Sequence, residues 1–250
     1  MAEPILETRG LSRSFGALRA VDAVSLSIEA GTVHAVIGPN GAGKSTFLNL
    51  LSGELAADAG SVLFGGQDVT RASPDKLSRM GVGRSFQSAA VFGGLTCEQS
   101  VRLASQSRLP TSMRFFRPAE RNSAVNERAD RALQACRLTS RRAAFAKDLS
   151  YGEQRQLELG MMLATEPRLL LLDEPLAGLG HDEALFIVDL LREVAKDHTL
   201  VLVEHDMDAV FSIATLVTVL VDGHVLETGT PAQIRASRFV REAYLGEEEA

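Results

Sequence analysis

The run Gly38-Pro39-Asn40-Gly41-Ala42-Gly43-Lys44-Ser45-Thr46 constrains this chain more than any other segment, because it wraps a single lysine in small or flexible residues. Before it, TVHAVIG is a continuous apolar stretch of central-strand type. After it, Phe47, Leu48, Leu50 and Leu51 recur at helical spacing, with Gly53 near the stop. Strand, glycine loop and helix are the context that G-x-x-x-x-G-K-[ST] demands, with Gly38, Gly43, Lys44 and Ser45 in the fixed places. The physical reading is a phosphate cradle. Loop N–H groups converge on an anion and the helix N-terminus adds about half a positive charge. Lys44 contributes a full charge to the β and γ phosphates, and the Ser45 hydroxyl is placed to hold Mg²⁺.

The remaining pattern is that of an α/β protein. ILETRG and AVSLSIEAG alternate apolar and polar residues, as a half-buried antiparallel sheet does. Between residues 95 and 165 the pattern turns helical, most clearly in ERNSAVNERADRALQACRL and GEQRQLELGMMLA. The intervening segment, residues 107–121, holds two prolines and the pair Phe115 and Phe116. With its neighbours it carries a run of arginines, readable as a solvated face or as a contact surface for a partner or anionic headgroups. The apolar strands RLLLLDE and HTLVLVEH flank the helical HDEALFIVDLLREVAKD, which predicts a right-handed crossover in a parallel sheet. VTVLVDGHVLETG predicts a hairpin turning at Asp222-Gly223, with a short helix after it.

LLLLDEP puts Asp173 and Glu174 at the exit of a buried strand, the end of an open parallel sheet where ligands collect. Asp173 suits contact with Mg²⁺ through water, and Glu174 suits the base or water-positioning group for attack on a γ-phosphate. Bulk properties narrow the class. A net charge of −6 argues against a nucleic-acid partner. Cys97 and Cys136 stand far apart without a C-x-x-C spacing and read as reduced thiols. The longest apolar candidate, AVFSIATLVTVLV, is shorter than the about 20 residues of a membrane span.

The segment LSYGEQRQLELG, residues 149–160, separates this chain from other lysine-loop proteins. Here the sequence resembles the ATP-binding cassette family, whose signature is usually written LSGGQ; Tyr151 and Glu153 replace the second-position glycine and the glutamine. The resemblance implies that Ser150, Gly152 and Glu153, at a helix tip, face the γ-phosphate bound by a second ATPase subunit. Two ATP are then sandwiched in a head-to-tail dimer, identical or paralogous. It further implies that Gln87 in GRSFQ senses Mg²⁺ and links core to helical region, that His205 in VLVEHD contacts the γ-phosphate, and that Phe15 in SFG stacks on adenine. One departure stands out: Gly180 occupies the place of the aspartate that couples the two sites in the family, so that role is not carried over.

The implied fold is a P-loop NTPase core with a mainly parallel sheet, an N-terminal antiparallel β-subdomain and an inserted α-helical subdomain. Residues 1–94 would hold the β-subdomain and first part of the core, 95–165 the helical subdomain, and 166–250 the second part of the core with Asp173, Glu174 and His205. GPNGAGKST, LSYGEQR, DEPLAGL, EHDMD and VREAYLG together are similar to the ATPases of branched-chain amino acid importers, with relatives serving urea and short amides. That implies ATP and Mg²⁺ as ligands, membrane permease subunits as partners, and a periplasmic substrate-binding protein acting indirectly. The place would be peripheral, on the cytoplasmic face of the plasma membrane. A lipid-exporter ATPase of the same family would share every catalytic residue. A GTPase or nucleotide kinase would not explain LSYGEQR, and N-K-x-D is absent.

Overall fold

The computed structural model describes residues 4–85, 91–108 and 122–245. Strands β1 (Pro4–Phe15) and β2 (Leu18–Glu29) pair antiparallel, and β4 (Ala59–Phe64) and β5 (Gln67–Asp68) extend the sheet in the order β2-β1-β4-β5. Along β2, Val24, Leu26 and Ile28 point inward while their neighbours face solvent, the period-2 pattern expected of a sheet with one wet face.

A second sheet holds six strands in the order β10-β9-β3-β8-β7-β6. Here β3 (Val33–Ile37), β7 (Leu169–Asp173) and β8 (Thr199–Val203) are buried at every residue. They run parallel to one another, with β8 between the other two, and β6 (Val82–Arg84) continues the parallel set. Helices cover both faces, which is why these strands read as unbroken apolar runs. The edge is the antiparallel hairpin of β9 (Leu216–Val221) and β10 (His224–Gly229). Its turn has positive φ at both central residues, 49° at Asp222 and 78° at Gly223, the primed geometry that suits the twist of a hairpin.

Helix α1 (Lys44–Leu51) drives Phe47, Leu48 and Leu51 into the core between the two sheets. Phe47 has no exposed surface, and its truncation to alanine is expected to cost about 3–5 kcal/mol. Helices α3 (Cys97–Gln106), α4 (Ser123–Ala135) and α5 (Tyr151–Leu163) pack on one another. With α6 (His181–Val194) they bury a second core against the other face of β7 and β8. A third core lies under α7 (Met207–Ile213), α8 (Pro231–Ala236) and α9 (Arg238–Leu245). The apolar stretch from Ala209 to Val221 is thus split between α7 and β9. No helix among the described residues is long and apolar enough to cross a membrane. Cys97 and Cys136 are buried, unbridged members of the second core, and burial pushes the Cys136 thiol up to about 12. Helix α2 (Pro74–Met80), capped by Ser73, precedes β6.

Candidate active site

The glycines of the loop between β3 and α1 are set by backbone packing. A Cβ on Gly43 would sit 1.9 Å from the Ala20 carbonyl oxygen, and one on Gly38 would sit 2.1 Å from that of Leu220. Both residues also have positive φ, 95° and 153°. The loop is therefore wedged between β2 and the β9–β10 hairpin with no room for a side chain. Gly223 N–H donates to the Ala42 carbonyl at 3.2 Å and closes it from the hairpin side.

At the head of α1, Gly43 is the N-cap and supplies no side-chain acceptor, and the first turn carries no acid. The first N–H groups of a helix have no intrahelical partner, so this end is prepared for an external anion. Pro39, Asn40, Gly41 and Ala42 form the arch above it, with Asn40 and Gly41 exposed. The Lys44 ammonium is folded back onto that arch, donating to the carbonyls of Gly38 at 2.6 Å and Pro39 at 2.9 Å. Ser45 and Thr46 follow on the first turn, half-buried.

Two strands away, Asp173 ends β7 and is buried. Its N–H donates to Ser85 Oγ at 3.0 Å, and Arg84 Nη2 lies 3.7 Å from its Oδ2. Burial raises its carboxyl above the usual range and Glu174 pushes the same way; the Arg84 guanidinium and the Ser45 hydroxyl pull it back down. Its Oδ1 is buried with no hydrogen-bond partner. An orphaned carboxylate oxygen beside a serine hydroxyl suits Mg²⁺, which takes one or two carboxylates and completes its shell with water and phosphate oxygens. Among the described residues no group of three or more His, Cys, Asp or Glu is arranged to hold a metal ion.

Glu174 has φ of 47°, a left-handed conformation costing roughly 1–3 kcal/mol in a non-glycine residue. The surroundings hold it there: its N–H donates to Val203 O at 2.9 Å, and its carbonyl accepts from Ala177 N–H at 3.0 Å. His205 follows β8 with its side chain 65% exposed. Because β3, β8 and β7 are adjacent and parallel, their carboxyl ends bring the glycine loop, His205 and the Asp173-Glu174 pair to one edge of the sheet.

Ser150 is the N-cap of α5. Its Oγ accepts from Glu153 N–H at 3.2 Å and the Glu153 carboxylate accepts from Ser150 N–H at 2.9 Å, a closed capping box. Arg141 pairs with Glu153 at 2.7 Å and, with the Ser150 N–H, holds its carboxyl below the usual range against the opposing effect of burial. The tip of α5 packs on the loop after β7 and on the first turn of α6. A Cβ on Gly152 would lie 2.8 Å from Glu183 Oε1, and the Tyr151 ring sits 3.3 Å from where a Cβ on Gly178 would be. Tyr151 is fixed from behind by buried Arg155, which donates to its hydroxyl at 2.9 Å and to Glu158 at 3.1 Å. Gly180 is the N-cap of α6, with its N–H donating to Glu183 at 3.3 Å, while Asp182 is exposed on the first turn. Phe15, half-exposed at the end of β1, has the Arg13 guanidinium 5.1 Å from its ring centre. Gln87 lies outside the described residues.

Sequence reasoning missed three residues of this edge. Arg84 is a hub that bonds the Leu48 carbonyl at 3.3 Å, Ser52 and Asn49, and it reaches Glu54 as well as Asp173. Ser85 tethers Asp173, and Glu204, completely buried, bonds backbone on both sides of the site. The signal available for Glu204 was an acid closing an otherwise apolar strand, directly before His205.

Comparison with known proteins now decides the family. Residues 21–177, more than half of the chain, match the family model for ABC transporters. The chain belongs to the ABC transporter family. As a member of that ABC family it is an ATPase, and its residues 224–250 match the model described as branched-chain amino acid ATP-binding cassette transporter. It is 39% identical to the high-affinity branched-chain amino acid transport ATP-binding protein BraF of Pseudomonas aeruginosa, over 99% of this chain and 100% of that one. To the protein of the same description named LivG, from Escherichia coli, it is 36% identical with the same coverage. Among solved structures it resembles an ATP-binding cassette of an ABC transporter in its ADP conformation, at 30% identity and TM-score 0.85, covering 97% of this chain and 99% of that one.

Proposed function

We propose that this ABC protein is the ATP-hydrolysing subunit of an importer for branched-chain amino acids or related small amide solutes. In this reading it is peripheral at the cytoplasmic face of the plasma membrane. Two subunits close on two ATP, drive membrane permease subunits and are served indirectly by a periplasmic binding protein. The single observation that carries the reading is the convergence of the glycine loop, His205 and Asp173-Glu174 on one edge of three adjacent parallel strands. The full-length likeness to branched-chain amino acid transport proteins supports the importer over a lipid exporter.

Lys44 transfers its ammonium from the Gly38 and Pro39 carbonyls to the β and γ phosphates, while the loop from Gly38 to Thr46 and the head of α1 bind the remaining oxygens. Phe15 offers its exposed face to adenine. Mg²⁺, when bound by Ser45 and Asp173 with Gln87 as its sensor, would offset charge on the phosphate oxygens. Glu174, held rigidly by Val203, accepts a proton from the attacking water or orients it, and His205 donates toward the γ-phosphate. Ser150, Gly152 and Glu153 of the second subunit close the site from above. The segment 95–165 acts as the helical subdomain that passes closure to the permease, with Gln87 as its link to a core formed by 1–94 and 166–250.

The direct test is Glu174→Gln. This variant is expected to keep ATP binding and accumulate an ATP-dependent dimer while turnover falls by roughly 10² or more. Hydrolysis at the parent rate would remove Glu174 from the role of base. For the substrate, reconstitution with permease and binding protein should give ATPase stimulation by leucine-loaded binding protein and none by the unloaded form.

A further inference from the structure

Glu204 directly follows β8, with its side chain wholly removed from solvent. A buried carboxylate is costly unless its oxygens are satisfied. Here the satisfaction comes from the backbone of two different loops. Oε1 accepts the Leu176 N–H at 2.8 Å, and Oε2 accepts the His205 N–H at 3.0 Å. The His205 imidazole lies beside it, Nδ1 3.7 Å from Oε2. Burial raises its carboxyl above the usual range, and the N–H groups of Leu176, His205 and Asp206 pull it back.

The two tethered loops are the ones that carry the reacting-side residues. Leu176 lies two positions after Glu174, in the tight turn where Ala177 N–H returns to the Glu174 carbonyl. On its other side Glu174 donates to Val203, the residue directly before Glu204. The end of β8 therefore grips the Glu174 turn at two points: the Val203 carbonyl at its start and the Glu204 carboxylate at Leu176. Through the second oxygen, the same carboxylate fixes the backbone from which the His205 imidazole projects.

We propose that Glu204 is a positioning residue that clamps the Glu174 turn to the His205 backbone, so that both groups meet the γ-phosphate in one fixed geometry. The inference rests on the roles assigned above to Glu174 and His205. A carboxylate suits this task because both of its oxygens accept. An amide of the same shape must turn an NH₂ toward one of the two N–H donors, opening one side of the clamp. The Glu204 side chain is buried behind the backbone it tethers, so its loss should act on turnover and leave nucleotide affinity alone.

The experiment measures steady-state ATP hydrolysis, affinity for the fluorescent nucleotide trinitrophenyl-ATP, and thermal stability. The variants are Glu204→Gln, Glu204→Asp, His205→Ala and the double variant Glu204→Gln/His205→Ala. The expected result is a fall in kcat of about tenfold or more for Glu204→Gln, the scale of a lost positioning contact, with KM and trinitrophenyl-ATP affinity within about twofold. In the double variant the losses should not multiply, because both changes disable the same unit. Glu204→Asp keeps the charge but cannot span both donors and should lie between parent and Glu204→Gln; if the amide variant proves insoluble, the same comparisons are made with it. Parent-rate turnover in the Glu204 variants, or losses that multiply with that of His205→Ala, would overturn the clamp. If His205→Ala or Glu174→Gln themselves hydrolysed ATP at the parent rate, it is the underlying assignment that would fall.

Discussion

Two helix N-termini in this protein are assigned to phosphate, and they are built in opposite ways. The head of α1 is bare: a glycine N-cap, no acid in the first turn, and a lysine parked on carbonyls of its own loop. The head of α5 is closed by its own residues, with Ser150 and Glu153 exchanging bonds and Arg141 drawn onto the carboxylate. The contrast teaches that the first end is left open by its own chain, as the proposed role of binding an anion requires. In the proposed scheme the second would present Ser150 and Gly152 to a phosphate held by another subunit, beside a carboxylate that Arg141 pairs with.

The comparison breaks first at Lys44. If the bare end is the binding site within the chain, Lys44→Ala should weaken ATP binding by about 2–5 kcal/mol, the scale for removing one partner of a buried charge contact. Titration of the purified variant with labelled ATP reads this directly. Affinity close to that of the parent would mean that α1 is not the triphosphate site.

The floor beneath that site can be tested by pH. His34 lies buried in β3, its Nε2 2.7 Å from Thr218 Oγ1, and burial lowers it to about 4 from 6.5. The folded value is the lower one, so the fold holds the neutral ring and the unfolded chain takes up the proton first. This contribution is fully present above 6.5 and drains away as pH falls toward 4. Relative to His34→Val, the parent should lose about 2 kcal/mol of stability between about pH 7 and about pH 5. Urea unfolding at the two pH values checks it; parallel pH profiles for parent and variant would contradict it.

The smallest expected effect belongs to the closed end. Glu153→Gln keeps a capping-box partner, so the cap should weaken by no more than about 1 kcal/mol. The ATP concentration that half-saturates dimer formation in a Glu174→Gln background should move by no more than about fivefold, the equivalent of that energy. Complete loss of the dimer would show that the Arg141–Glu153 ion pair, and not the capping geometry alone, is needed for closure.

The bare end was legible in the sequence, because a loop squeezed between backbones has to be spelled in glycine, and strands buried on both faces have to be spelled as apolar runs. Gly38, Gly43, Val33–Ile37 and Leu169–Asp173 follow those two rules. The Asp222-Gly223 turn was equally readable from its need for positive φ. Arg84 and Glu204 were not, since what defines them is a set of partners distant in sequence: Leu48 lies 36 residues from Arg84, and Leu176 lies 28 from Glu204. Short elements such as β5 and α9 were missed for another reason. Two residues, or one helix with a single buried face at the end of the chain, give too little periodicity to read. At α5 the local pattern supports both the capping box that is seen and the phosphate contact proposed, because each uses the same N–H groups.

The account stands on one claim: a triphosphate bound at Lys44 of one subunit is closed over by Ser150 of another. In a Glu174→Gln background, chains carrying Lys44→Ala and chains carrying Ser150→Arg can be labelled with a donor and an acceptor fluorophore and mixed with ATP. Neither should self-associate. The mixture should form a heterodimer, because one composite site keeps an intact Lys44 from one chain and an intact Ser150 from the other. A mixture that stays monomeric under conditions where the Glu174→Gln parent dimerises would contradict the claim.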